Sequence, residues 1–301
     1  MSFPESTLER PEAICRSGAA TALAAELLSG SSLEVGAHRP QDAQAIAALL
    51  PAGTPVYINH LPRHRLLDTL PTLVAVRAAG LEPVPHIAAR HILGRAELQN
   101  YLAHAVGDAG VRKALVLGGD LAVAAGPYAD AAALLREGDL ARAGLREIGF
   151  AGYPEGHPRI PSAVLERALA DKLALATAQG LGSYVLTQFT FTPARVIEYC
   201  AALARKAPGV AVYVGLAGPT DPITLFRFAR RCGVSATLRA LRAQGLDAVR
   251  YVMHIDPVEQ LAAVAHHAAG RSDSNVVGIH LFTFGGVTAA ANWINRHLRT
   301  A

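Results

Sequence analysis

Charge is scarce in this chain, at 17% of 301 residues. The 28 Lys and Arg residues are scattered, and no basic run alternates with aromatics, which argues against a nucleic-acid partner. Cysteine is rare: Cys15, Cys200 and Cys232 form no CxxC pair. An odd, widely spaced set suits free thiols in a reducing compartment, so a cytoplasmic protein is expected. No apolar run reaches the roughly 18 residues of a membrane span. The start, Met1 to Glu12, lacks the apolar stretch of a secretory signal. Three common catalytic signatures are also missing. There is no GxSxG elbow, no GxxxxGK[ST] phosphate loop, and no GxGxxG between a strand and a helix.

What is present is a recurring unit. A short apolar run ends in polar or glycine-rich residues, and a helical pattern follows. The run ends are Leu33-Glu34-Val35-Gly36, Tyr57-Ile58-Asn59-His60, Val84-Pro85-His86 and Val116-Leu117-Gly118-Gly119-Asp120. They continue with Gly149-Phe150-Ala151-Gly152-Tyr153, Leu186-Thr187-Gln188-Phe189, Val214-Gly215-Leu216-Ala217 and Gly278-Ile279-His280-Leu281-Phe282. Eight such units predict an α/β fold, a single (β/α)8 TIM barrel with extra helices. The carboxyl ends of its strands converge on one face, where active sites of this architecture sit. One domain is expected over 1–301, with 1–12 a loose arm and a helix over 17–28 against the barrel bottom. Strands are expected at 32–37, 55–60, 83–88, 113–117, 147–151, 183–191, 210–216 and 275–282. Two helices, 236–244 and 257–268, should fill the gap before the last strand. Ser162 reads as the cap of a long helix that stops at Gly180.

Glu34 stands alone in an apolar strand. Burial costs a carboxylate desolvation, so it needs a partner or a task, and its pKa should rise toward neutrality. The alternatives are a core ion pair or a solvated strand end. Asp120 follows two glycines that permit close approach; its alternative is a helix or turn cap. Gln188 offers a donor and an acceptor to a heterocycle edge, or is a hydrogen-bonded core amide. His86, Tyr153, Glu155 and His157 either line the mouth or belong to loops. His60 and His64 have metal-ligand spacing on a helix, but Pro62 lies between them, so a solvated loop is preferred and no metal site is expected.

In this order the motifs resemble the methylenetetrahydrofolate reductase family over roughly 30–300. The resemblance rests on the Glu34 strand, Pro85-His86, Gly118-Gly119-Asp120, Tyr153-Pro154-Glu155-Gly156-His157-Pro158, Leu186-Thr187-Gln188-Phe189 and Phe282-Thr283. It implies interconversion of 5,10-methylenetetrahydrofolate and 5-methyltetrahydrofolate, with NADH or NADPH as hydride donor or acceptor. It implies Glu34 as proton donor and Asp120 as stabiliser of the cation. Gln188, Asp120 and Phe189 would bind the folate substrate. Asn59, His60, His86, Gly119, Tyr153 and His157 fall on the family's cofactor positions. A folate-dependent methyl-transfer enzyme, or a folate-binding protein, on the same barrel is the alternative. Homo-oligomerisation stays open.

The chain departs from the family at the flavin. The family arginine before Gly119-Asp120 is absent, and Asn59 and His60 replace a threonine and a tyrosine. Leu175 and Ala176 stand where a basic cluster is expected, with Lys172 a turn earlier. The family's strand-seven aromatic is replaced near Pro222, and the arginine after strand eight by Gly285-Gly286. Buried phosphate charge needs compensating donors, so FAD is expected to bind weakly or not at all.

Overall fold

The computed structural model describes residues 18–60, 64–231, 234 and 256–300. Eight parallel strands close into a barrel in chain order: β1 (Ser32–Val35), β2 (Pro55–Ile58), β3 (Glu82–Ala88), β4 (Lys113–Leu117), β5 (Glu147–Gly152), β6 (Gly182–Thr187), β7 (Ala211–Ala217) and β8 (Val276–Phe282). β8 closes on β1 with Ser32 opposite His280 and Leu33 opposite Leu281. The helices are α1 (Gly18–Ser29), α2 (Pro40–Ala47), α3 (Leu70–Ala78), α4 (Arg95–Gly107), α5 (Ala131–Arg136), α6 (Asp139–Arg142), α7 (Ser162–Ala178), α8 (Pro193–Lys206), α9 (Pro222–Arg231), α10 (Pro257–Ala269) and α11 (Val287–Thr300). Among the described residues no helix is long and apolar enough to cross a membrane.

Strand side chains alternate between two cores. Leu33, Val35, Val56, Ile58, Ile87, Val116, Ile148, Phe150, Val185, Val214, Ile279 and Leu281 are buried beneath the helices. Tyr57, Val84, Leu115, Tyr184 and Leu186 instead fill the barrel. Gly149 makes that filling possible, because a Cβ there would lie 2.3 Å from the Tyr184 ring. Tyr184 therefore reaches across the axis, where its hydroxyl accepts a hydrogen bond from Tyr57 at 2.9 Å. A buried tyrosine hydroxyl needs such a partner.

The structure trims several expectations. Strands one and two end at Val35 and Ile58, and strand six ends at Thr187 rather than running on to 191. At Gln188 the N–H still reaches Gly152 O at 2.8 Å. The side-chain Oε1 then accepts the N–H of Phe189 at 3.1 Å, which takes the backbone out of the ladder. Ser162 is the first residue of α7, and Pro161 holds the cap position without a side-chain bond. Gly180, at φ 71, follows the helix end as expected. α1 packs on α10 and β8. The expected arm at 1–12 and helix at 236–244 lie outside the described residues.

α7 is unusual. Of its 17 residues only Ala176 is buried. A cavity of about 510 Å³ separates it from α8, lined by Leu165, Leu169, Leu173 and Tyr199, and reaching Ala151 and Tyr153 at the top of β5.

Candidate active site

Seven of the 12 histidines lie on the upper halves of strands or in the loops that follow them: His38, His60, His64, His86, His91, His157 and His280. This concentration marks one face of the barrel. Two cavities, of about 510 and 480 Å³, flank this face, and neither is lined by Glu34, Asp120 or Gln188. The chemistry-bearing groups gather at the barrel mouth itself.

Glu34 points inward from β1. Solvent reaches its side chain only in part. Burial raises its pKa to about 7, while hydrogen bonds from the Asn59 side chain and the Thr283 backbone pull the other way. The main chain is fixed as well, since Thr283 Oγ1 donates to Glu34 O at 3.0 Å. The residue thus exchanges its proton near neutrality from a held position, which is what a general acid needs.

From Glu34 a run of contacts leads around the rim. Asn59, its partner, precedes His60. The His60 ring meets that of His91 edge to face, with centroids 5.0 Å apart. His91 Nε2 donates to Asp120 Oδ1 at 2.9 Å. His60 Nδ1 accepts the N–H of Ala88 at 3.4 Å, so its Nε2 carries the proton and donates to His64 O at 3.2 Å. That places His60 in one neutral tautomer. Burial, then the neighbouring His91, lowers its pKa to about 4. Asp120 itself is about half exposed, with His91 almost covered beneath it. Gly119 adopts φ 89, and a Cβ there would crowd the His91 ring at 3.2 Å. Glycine is required twice over at this position.

Beneath Glu34 lies a second polar layer. His280 Nδ1 pairs with Ser32 Oγ at 2.9 Å. Tyr57 packs edge-on against both His86 and His280, at 5.9 and 4.8 Å between centroids. Burial lowers the pKa of each imidazole to about 3, and neighbouring histidines add to it: His60 for His86, and His86 for His280. Both rings are therefore neutral donors or acceptors rather than cations.

The remaining residues fall into four groups. Gln188 and Asp120 stand at the mouth. Tyr153 and His157 pack ring to ring at 5.3 Å after β5. His157 Nδ1 accepts the N–H of Arg159, and burial followed by Arg159 lowers its pKa. Phe189 is almost fully buried among Phe191, Phe282 and Phe284, so it backs the site rather than presenting a face. Glu155 is a clamp: its Oε1 accepts a short hydrogen bond from Thr190 Oγ1, and Gln260 Nε2 donates to Thr190 O at 2.6 Å. Together they pin the segment after Gln188.

Sequence reasoning did not single out His91 or His280. His280 carries the same signal as Glu34, one polar residue in an apolar strand. His91 gives no local signal, because its role depends on a loop 29 residues away.

The structure also bears on the flavin. Lys172, the basic residue nearest the expected phosphate position, turns inward. Its Nζ lies 5.0 Å from the Phe150 ring centroid. Burial lowers its pKa to about 8. Lys172 also lines the cavity between α7 and α8 that reaches Tyr153.

No protein-family profile matches the chain. In fold it is similar to an uncharacterized protein from Clostridium thermocellum that binds two copies of 5-methyl-5,6,7,8-tetrahydrofolic acid. The TM-score is 0.53 at 9% identity, over 90% of this chain and 95% of that one. Dihydropteroate synthase from Thermus thermophilus aligns at TM-score 0.46 and 15% identity, over 90% and 92%. A mutant tryptophan synthase α-subunit from Pyrococcus furiosus aligns at 0.47 and 14%, over 90% and 96%. At such identities the first of these likenesses is one of architecture, and the chain is a (β/α)8 barrel with its polar groups assembled at the carboxyl ends of the strands.

Proposed function

We propose that the barrel mouth binds a reduced folate and carries out one-carbon chemistry on it, with Glu34 as the proton donor. The observation that carries this reading is Glu34: a held carboxyl that releases its proton near pH 7, at the end of the strand where the family resemblance puts the acid. The fold likeness to a protein that binds 5-methyltetrahydrofolic acid supports the same ligand class.

In the reductase form of this reading, Glu34 protonates N10 of 5,10-methylenetetrahydrofolate. The bond between N10 and the methylene carbon breaks with its electron pair going to N10, leaving a 5-iminium cation. The Asp120 carboxylate offsets that charge, a contribution concentrated in the transition state. NADH or NADPH, when bound, supplies the hydride that makes the 5-methyl group. The positions given to the cofactor, Asn59, His60, His86, Gly119, Tyr153 and His157, lie on the ends of β2 to β5 or just beyond. Those neighbouring strands form a continuous arc beside Glu34. Gln188 spends its Oε1 on Phe189, which leaves its amide N–H groups to face a carbonyl of the ligand.

A second reading has its own support. The methyltetrahydrofolate-binding likeness speaks for a methyl-transfer or folate-binding barrel more directly than for hydride transfer. There the methyl group passes from N5 to a nucleophile, the bonding pair stays on N5, and Glu34 supplies the proton that neutralises it. The two part in one experiment. The protein is mixed with 5,10-methylenetetrahydrofolate and NADH or NADPH, and nicotinamide absorbance is followed. Oxidation stoichiometric with 5-methyltetrahydrofolate formation supports the reductase. Folate binding with a silent nicotinamide supports the second reading, and absence of folate binding removes both.

A further inference from the structure

On the rim above Glu34 three side chains converge that the folate reading does not use. His38 lies in the loop after β1, His64 in the loop after β2, and Asp68 in the turn Leu66–Thr69 that leads into α3. His38 Nε2 and His64 Nδ1 are 2.8 Å apart, with ring centroids at 4.3 Å. One ligand atom from each of the three residues lies within 4.8 Å of the others. All three are exposed. Among the described residues this is the one group of three such side chains brought so close together.

A hydrogen bond between neutral imidazoles accounts for the short contact but not for the company. Water satisfies exposed imidazoles equally well, and fixing two long rotors at the surface costs side-chain entropy. The surroundings are also arranged to hold ligands. Asp68 Oδ2 accepts the N–H of Arg65 at 2.9 Å, which orients the carboxylate. His64 is tethered through its carbonyl by His60, itself fixed on Ala88. Such outer contacts are what orient metal ligands. Two imidazole nitrogens and one carboxylate oxygen suit a borderline transition ion rather than magnesium or calcium. From the sequence a solvated loop is preferred for both His60 and His64; His60 is instead buried, and His64 meets His38.

We propose that His38, His64 and Asp68 form a binding site for a divalent transition ion, with Zn²⁺ as the fitting case. Three protein ligands leave a further coordination position open to water or to an anionic group of a ligand at the mouth. The ion would join the loops that follow β1 and β2, the strands that carry Glu34 and lead to Asn59. It would thereby stiffen the rim directly above the acid.

The test needs neither folate nor nicotinamide, so it stands apart from the proposed function. The chelator-stripped protein is titrated with Zn²⁺ by calorimetry and with Co²⁺ by visible absorbance. The same is done for His38→Ala, His64→Ala, Asp68→Asn and the control His104→Ala, whose exposed imidazole pairs with Asp108 on α4. We expect one equivalent of ion in the wild type and the control. We expect at least a tenfold loss of affinity in each of the other three, and an intense Co²⁺ spectrum that the His64 variant abolishes. Exposed substitutions of this kind leave folding intact, which circular dichroism of the metal-free variants checks. Absence of binding in the wild type, or equal binding in all variants, overturns the proposal.

Discussion

His91 and Asp120 meet at 2.9 Å across the loops that follow β3 and β4, the imidazole almost covered and the carboxylate about half exposed. The carboxylate faces the mouth while its buried neighbour holds it in place. This relationship makes Asp120 more than a turn cap. It also links the aspartate to His60, and through Asn59 to Glu34.

Asp120→Asn should preserve the shape of this pair and remove its charge. On the proposed function the chemical rate falls more than folate affinity, because the charge acts mainly as the cation forms. Single-turnover rates set against equilibrium folate binding measure the difference. A pure binding defect would reduce Asp120 to a positioning group.

Glu34→Gln keeps size and removes the acid. Folate binding should persist while turnover drops by about 10²–10⁴-fold, the usual range for a general acid. A near-normal rate in steady-state assays would remove Glu34 from the mechanism.

Stability should depend on pH through two opposed effects. Glu34 has a raised pKa, so the folded state holds its proton more tightly, and this stabilisation is lost as pH rises from about 4.5 to about 7. His60, His86 and His280 have lowered pKa values, so their contribution is present above pH 6.5 and is lost as pH falls toward 4 and below. Each group contributes a slope of at most about 1.4 kcal/mol per pH unit. Three imidazoles outweigh one carboxyl, so urea midpoints should fall between pH 6.5 and 4.5. In Glu34→Gln the fall should be steeper, because the opposing carboxyl is gone.

Gly119→Ala should cost roughly 1–3 kcal/mol, the range for a strained backbone position. The φ of 89 disfavours any side chain, and the added methyl crowds His91. Thermal unfolding gives the magnitude. A wild-type melting temperature would show that the loop relaxes freely.

The protein should purify without stoichiometric FAD. Lys172 lies over the Phe150 ring, and the family's phosphate-binding cations are otherwise missing from the sequence. The visible spectrum of the pure protein settles this. A bound flavin in one-to-one ratio, or activity strictly dependent on added FAD, would contradict it.

The barrel was legible in the sequence because each strand ends in an abrupt change from apolar to polar residues, and all eight strands are found near their expected positions. Glu34 was legible for the same reason. Strand six is expected to run on to 191 but ends at Thr187. A side-chain oxygen takes over the backbone N–H of Phe189 there, and periodicity cannot show that. The same limit hid the role of Phe189, whose ring is claimed by the aromatic cluster beneath the mouth. His91 and the pairing of His38 with His64 were invisible because each depends on two loops meeting in space. The sequence leaves Glu155 open between the mouth and a loop, and its place is set by Thr190, 35 residues on.

The bond from Thr283 to the main chain of Glu34 spans 249 positions, joining the end of the last strand to the first. During synthesis Glu34 emerges 249 residues before Thr283. Before the eighth strand docks, the bond from Thr283 is not yet made and Glu34 would lack part of the burial that raises its pKa. Its raised proton affinity comes from burial, not from the Thr283 bond, which pulls the other way, so a chain with its barrel still open would carry the residue without the reactivity. The titration of this one carboxyl is then a built-in reporter of whether the barrel has been completed.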